Sequence, residues 1–225
     1  MSSNIYPIIA REGWPLIALL VLMLVVAYYF LGTAVTIVVA VILAVFIFLF
    51  RDPDKTISSS PLAIVSPVSG RVLTVEEVDD PWINRRAISI HIKTSLLDIY
   101  SIRSPSEGKI VNQWTRRPEN NDGKRRFAYR LRTDENDEIV VVFNLNFITA
   151  FFLRFYTHSG ERIGHGQRCG YLFFGGVVNV LIPPNSKVAV KPSVKICSGS
   201  GIIGYFVHNQ PAASGEGTHS TQPDG

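Results

Sequence analysis

An N-terminal membrane hairpin followed by one all-β domain is the fold class this sequence predicts. Three observations carry it. No charged residue occurs from Gly13 to Phe50. The pair Gly32-Thr33 interrupts that run near its middle. Beyond it, short segments rich in β-branched and aromatic residues alternate with turn-forming sequence.

The uncharged run is about twice the ~20 apolar residues that cross a bilayer once. It reads as two short transmembrane helices, Trp14 to Leu31 and Ala34 to Phe50, joined by a tight turn. Residues 1–51 are then a membrane hairpin, 52–210 a β-domain, and 211–225 a small, polar, disordered tail. A signal peptide fits poorly, because the run is too long and no small-residue cleavage pattern follows. A single tilted helix and a buried soluble hairpin are the other readings of the same run. Arg11 precedes it, and Arg51 and Lys55 follow. Positive charge at both ends puts both on the cytoplasmic side of an inner membrane, with the β-domain there too. Trp14 and Tyr28-Tyr29 suit the two interfaces.

The hydrophobic fraction of the 225 residues is 47% and the net charge +4. That is too apolar for an ordinary soluble domain unless the apolar residues are concentrated, as they are here. Cys169 and Cys197 are the two cysteines. They form no CxxC pair, and a cytoplasmic domain keeps them reduced.

In the β-domain, RVLTVEEV, AISIHI, EGKIVNQW, FAYRLRT, EIVVVFNL, CGYLFF, VVNVLIP and KVAVKP read as strands. Turn chemistry such as SPVSG, RSPSEG, RPENNDG and PPNS separates them. NFITAFFLRFYTH is ambiguous between a buried strand and a short helix. SPVSGRV and SGSGIIG look like the paired turns of a barrel-sandwich fold of the biotinyl/lipoyl type. Lys187 and Lys191 lie in strand-like sequence instead of at a hairpin tip, which argues against a lipoyl carrier.

Five stretches in order resemble one family. IAREGWPLI and LFRDPDK resemble the entry to and exit from the membrane hairpin of the phosphatidylserine decarboxylases, in their short prokaryotic form. IVSPVSGRV, LLDIYSIRSPSEGKI and GQRCGYLFFGGVVNVLIP resemble that family's two catalytic turns and its self-cleavage region. The resemblance implies a barrel-sandwich-like β-domain behind a membrane hairpin. It also implies cleavage at a Gly-Ser bond, where the serine hydroxyl attacks the preceding carbonyl. Elimination then leaves a pyruvoyl group, the electron sink for loss of carbon dioxide. An Asp-His pair supports the serine.

This sequence departs from the pattern at each of those positions. Ser69 stands where the resemblance expects Asp, Tyr100 where it expects His, and Gly176 where it expects the serine after Gly175. Val177 and Asn179 replace an expected Arg and Asp. Glycine has neither a hydroxyl to attack with nor a β-carbon from which to eliminate. A tyrosine of pKa near 10 is a poor base at neutral pH. The implied pyruvoyl cofactor is therefore expected to be absent, and no residue is assigned as catalytic. Ser200, after Gly199, is the other Gly-Ser serine, and a flexible turn is its plainer reading. Asp98 reads as a loop cap before it reads as a catalytic carboxylate.

His91 reads as a strand residue. His158, His165 and Cys169 lack a compact ligand spacing, so no metal site is expected. The basic run, Arg116, Arg117, Lys124, Arg125 and Arg126, continues to Arg130 and Arg132 and is followed by the acidic DENDE. It reads either as a solvated loop with local ion pairs or as a patch facing anionic lipid. Nucleic acid is disfavoured, since no stacking platform accompanies the charge. The leading expectation is a non-catalytic decarboxylase-like protein that binds lipid or a membrane partner. An active phosphatidylserine decarboxylase making phosphatidylethanolamine and an accessory subunit of a membrane complex are the alternatives.

Overall fold

A computed structural model describes residues 13–51, 60, 62–95, 97–116 and 125–208. The 211–225 tail, Arg11, Lys55, Arg117 and Lys124 lie outside the described residues. Two helices come first, α1 (Trp14–Phe30) and α2 (Thr33–Leu49). Pro15 lies in the first turn of α1, where its missing N–H costs nothing. Gly32, at φ +86°, reverses the chain between the helices. A side chain is disfavoured in that conformation, so the glycine fixes where one helix stops and the next begins.

The expectation of a transmembrane hairpin is corrected here. The glycine divides the apolar run into two helices of 17 residues each. At 1.5 Å per residue each is about 25 Å long, short of the ~30 Å hydrocarbon core of a bilayer. Among the described residues, no helix is long and apolar enough to cross a membrane.

The rest is a curled all-β domain with one short helix. In chain order its strands are β1 (Ala63–Val65), β2 (Gly70–Asp80), β3 (Arg85–Thr94), β4 (Ser101–Arg103), β5 (Gly108–Arg116), β6 (Arg125–Arg132) and β7 (Glu138–Leu145). Helix α3 (Phe147–Phe152) and β8 (Leu153–Phe155) follow, then β9 (Arg162–Ile163), β10 (Arg168–Leu172), β11 (Gly176–Ile182), β12 (Lys187–Val188), β13 (Lys195–Ile196) and β14 (Ile202–Tyr205). The ambiguous NFITAFFLRFYTH segment thus contains a short helix and a short strand. KVAVKP pairs only over Lys187 and Val188.

Eight strands form one antiparallel sheet in the order β13-β2-β3-β11-β7-β6-β5-β9. The sheets β1-β14-β12 and β4-β10-β8 pack on its inner face. Strand alternation explains the core. Ile88, Ile90 and Ile92 of β3, Ile139, Val141 and Phe143 of β7, and Val178, Val180 and Ile182 of β11 all point inward. The intervening residues face outward, where Ala87, Ala128, Val140, Val142 and Leu181 form a smaller cluster under Trp82 and Trp114.

Part of the basic run is held by ion pairs. Glu138 at the start of β7 bonds to Arg130 and, at 3.0 Å, to Arg132, while its carbonyl accepts from Arg85 at 2.5 Å. Burial pushes the Glu138 pKa up, but hydrogen bonds and charge from Arg130 and Arg132 outweigh it and leave the pKa below its usual 4.5. A carboxylate with a depressed folded pKa stabilises fully above its unfolded value, and that contribution disappears as pH falls through the folded one.

Two outcomes are expected in urea unfolding. Ile90→Ala, at a fully buried position of β3, loses about 2–5 kcal/mol, whereas Leu73→Ala, at 41% exposure, changes stability by about 0.5 kcal/mol or less. Glu138→Gln lowers stability at pH 7, and its deficit against the native protein shrinks as pH falls below 4.5. A deficit constant down to the acid transition would show that the Glu138 charge contributes nothing.

Candidate functional site

The C-terminal end of β3 organises the site. Its neighbours on both sides meet it through glycine. At Gly70, which opens β2, a Cβ would lie 2.4 Å from the Lys93 carbonyl oxygen. At Gly175, just before β11, a Cβ would lie 2.4 Å from the Thr94 carbonyl oxygen. Only glycine allows such approach. Gly70 and Gly176 therefore flank β3 at the same end, about 10 Å apart across two strand spacings.

The Gly175-Gly176 pair is a strained turn between β10 and β11. Phe174, Gly175 and Gly176 have φ of +64°, +71° and +154°. For Phe174 the left-handed conformation costs on the order of 1–3 kcal/mol. At Gly176 an added Cβ would meet Asn144 O at 3.5 Å, an ordinary contact. Space for a side chain exists there, but the backbone conformation is one that L residues rarely adopt.

Ser69 is buried, and its Oγ accepts the Ser198 N–H at 2.9 Å. The Ser198 hydroxyl lies 3.1 Å from the carbonyl oxygens of both Pro67 and Ser101. Ser66 N–H donates to Gly201 O at 2.7 Å, and Gly199 N–H donates to Ser66 O at 2.9 Å. The two turns paired on sequence grounds, SPVSG and SGSG, therefore lock together. Ser200 lies in the second, half-buried.

Tyr100 joins them from the other direction. Its carbonyl accepts the Leu172 N–H at 2.8 Å. Its ring, 2% exposed, packs against Tyr171 and Phe173 at centroid distances of 5.8 and 5.3 Å. Phe50, just past α2, stacks on Tyr171 at 6.2 Å and on Phe173 at 4.9 Å. Burial, and then the Asp98 carboxylate, raise the Tyr100 pKa against the pull of Arg51. The phenol is thereby a still weaker source of base.

The other candidates are accounted for locally. Asp98 accepts the Ser95 N–H at 2.8 Å and pairs with Lys195 at 3.1 Å, so it caps its own turn. His91 lies on β3, 3.1 Å from Glu76. His158 is exposed. Cys169 is buried in the core, and burial pushes its thiol up to about 12. Among the described residues no cluster of His, Cys, Asp and Glu could hold a metal. Arg125 and Arg126 are exposed, and Arg116 is paired in register with Arg126. Sequence reasoning missed Ser198, which joins Ser69 to the Tyr100 strand, and Asn144, whose amide donates to Asn179 Oδ1 at 3.2 Å. The SGSG turn was the available signal for Ser198; nothing marked Asn144, because its neighbour is set by strand order.

Ser69 and the Gly175-Gly176 junction thus lie beside the C-terminal end of β3, and Tyr100 lies against Leu172 of β10, the strand that leads into that junction. The profile of the phosphatidylserine decarboxylase family matches residues 42–204. The chain belongs to the phosphatidylserine decarboxylase family. It is 31% identical over 216 residues to a phosphatidylserine decarboxylase proenzyme of Nitrosomonas eutropha, covering 92% of this chain and 100% of that one. A proenzyme of the same description from Symbiobacterium thermophilum is 31% identical over 212 residues, covering 91% and 98%. That of Nitrosomonas europaea is 29% identical over 216 residues, covering 92% and 100%.

The residues of this decarboxylase-family chain do not fit the pyruvoyl group that the family implies. Gly176 has no β-carbon or oxygen from which to make it. Ser69 is hydrogen-bonded into a closed turn, and Tyr100 is packed in an aromatic cluster. The glycine constraint can be checked by unfolding. Gly176→Ala, which meets backbone strain alone, is expected to cost about 1–3 kcal/mol. Gly175→Ala adds a collision with the Thr94 carbonyl and is expected to cost more; a smaller loss at Gly175 would contradict the packing described.

Proposed function

We propose that this chain is a non-catalytic member of the phosphatidylserine decarboxylase family that carries no pyruvoyl group and works as a lipid- or partner-binding protein at the cytoplasmic face of an inner membrane. The single observation that carries the reading is the absent oxygen at Gly176. The state of its surroundings supports it: no carboxylate at Ser69, no imidazole at Tyr100, and Asp98 committed to a turn.

The membrane part rests on α1 and α2. Both expose apolar side chains around most of their surface, among them Leu22 at 61%, Phe30 at 83% and Ile37 at 63%. An apolar surface of that extent calls for a cover of lipid or protein. Helices too short to cross a bilayer can still seat in one leaflet. Phe50 and its contacts then hold the β-domain, Gly175-Gly176 end first, against the lipid. The exposed Arg126 is a candidate to meet anionic headgroups. A second reading, an active decarboxylase, is favoured by the near full-length likeness to proteins named as decarboxylase proenzymes.

A denaturing gel and an intact mass separate the two. The purified protein is expected to run as one chain of 25.0 kDa. Two fragments, the smaller with a blocked N-terminus, would establish the active reading and make Ser200 the first serine to replace. Gly176→Ser alone is expected to stay uncleaved, because general-base help worth roughly 10²–10⁴-fold is missing. The triple change Ser69→Asp, Tyr100→His and Gly176→Ser is expected to process at least partly.

A further inference from the structure

The basic run read from the sequence is not the surface that the fold builds. Strand alternation splits it: Arg126 faces outward with Ala128, while Arg125 pairs with Leu145, whose side chain faces the core. Register instead gathers cations from distant parts of the chain. Lys195 lies opposite Arg71, Arg71 opposite Lys93, and Lys93 opposite Val177. Val177 lies opposite Asn144, and Asn144 opposite Arg126. Arg116 takes the next register position.

This line crosses the eight-stranded sheet on its outer face. From Lys195 to Arg126 it spans five strand spacings, about 24 Å. Arg71, Lys93, Lys195 and Arg126 are all exposed. Among the described residues Lys195 is paired, with Asp98 at 3.1 Å, and no carboxylate pair holds the other three. Their chain neighbours Val72, Ile92 and Phe127 turn to the core and leave the cations on the outer face.

The line also lies at a particular level. Val177 is one residue from Gly176, so the cations rim the end of the sheet that carries the site. Beyond that rim project Leu97, Phe151 and Phe174, exposed by 65%, 71% and 40%. The α2 end reaches the same place through Phe50 and Phe173. A flat surface approaching that end meets exposed apolar side chains with a row of cations along one side of them.

The geometry points to the Lys195–Arg71–Lys93–Arg126 row as a docking surface for an anionic phospholipid bilayer, reading headgroup charge without selecting one headgroup. This rests on the membrane part of the proposed function and is independent of whether the chain is catalytic. Each cation at such a surface contributes about five-fold in partitioning at low salt.

The test is sedimentation of the full-length protein with neutral vesicles of phosphatidylcholine alone and with anionic vesicles in which phosphatidylcholine is mixed with either phosphatidylglycerol or phosphatidylserine. The native chain is expected to bind both, more tightly to the anionic vesicles, with the excess fading in 1 M salt, where the Debye length is about 3 Å. The double variant Arg71→Gln, Lys93→Gln is expected to lose about 25-fold on anionic vesicles and nothing on neutral ones. Arg71→Lys with Lys93→Arg is expected to match the native chain, which separates charge from folding. An anionic excess that survives the double variant, or one seen with phosphatidylserine but not phosphatidylglycerol, overturns the row and leaves the membrane reading intact. Failure to bind either vesicle overturns both.

Discussion

Two carbonyl groups at the end of β3 set the geometry on which the rest of the site end depends. Gly70 presses against Lys93 O from one side and Gly175 against Thr94 O from the other. Because neither approach leaves room for a Cβ, the turns on both sides of β3 are held in one layer. The strained Phe174-Gly176 turn follows from this. The chain must leave β10, pass Thr94 at glycine distance, and enter β11 in register with both β3 and β7. The residue after Gly175 is thereby placed at a fixed spot whatever its side chain. The side chain at that spot can therefore differ without changing the path of the backbone.

The neighbouring substitutions show the same separation. Ser69 is small enough to be buried and to accept one backbone N–H, so the paired turns close over it with no charge to bury. An aspartate there would have to be desolvated or protonated, a cost of several kcal/mol without a partner. Tyr100 fills its place with an aromatic ring that stacks on Tyr171 and Phe173 and, through them, on Phe50. Ser69 and Tyr100 thus make two packed contacts, one hydrogen-bonded and one aromatic. The aromatic contact also ties the apolar helices to the β-domain.

Much of the fold was legible because local chemistry fixes it. Gly32 marked the helix reversal, and β-branched and aromatic enrichment marked β3, β7 and β11 as strands, with clear alternation in β3. The glycine pair and the positions of Ser69 and Tyr100 were legible through ordered motifs that survive as packing requirements. The helix bounds were read to within a residue, but the membrane crossing was not, since two helices of 17 residues are each too short to span a bilayer. The ambiguous 146–158 segment stayed open because its apolar residues serve a short helix and a strand equally well.

The sequence by itself determined which atoms are present. No arrangement of this chain can give Gly176 a hydroxyl, and the turn residues around it constrain where it can sit. Only the tertiary structure decided which residues share a surface. Arg125 and Arg126 are adjacent in sequence yet point apart, because neighbours in a strand alternate faces. Lys195 and Arg71, far apart in sequence, stand side by side because an antiparallel ladder pairs them. Adjacency along a chain is covalent and can be read directly, whereas adjacency across a sheet depends on strand order, which the core residues of all eight strands fix together.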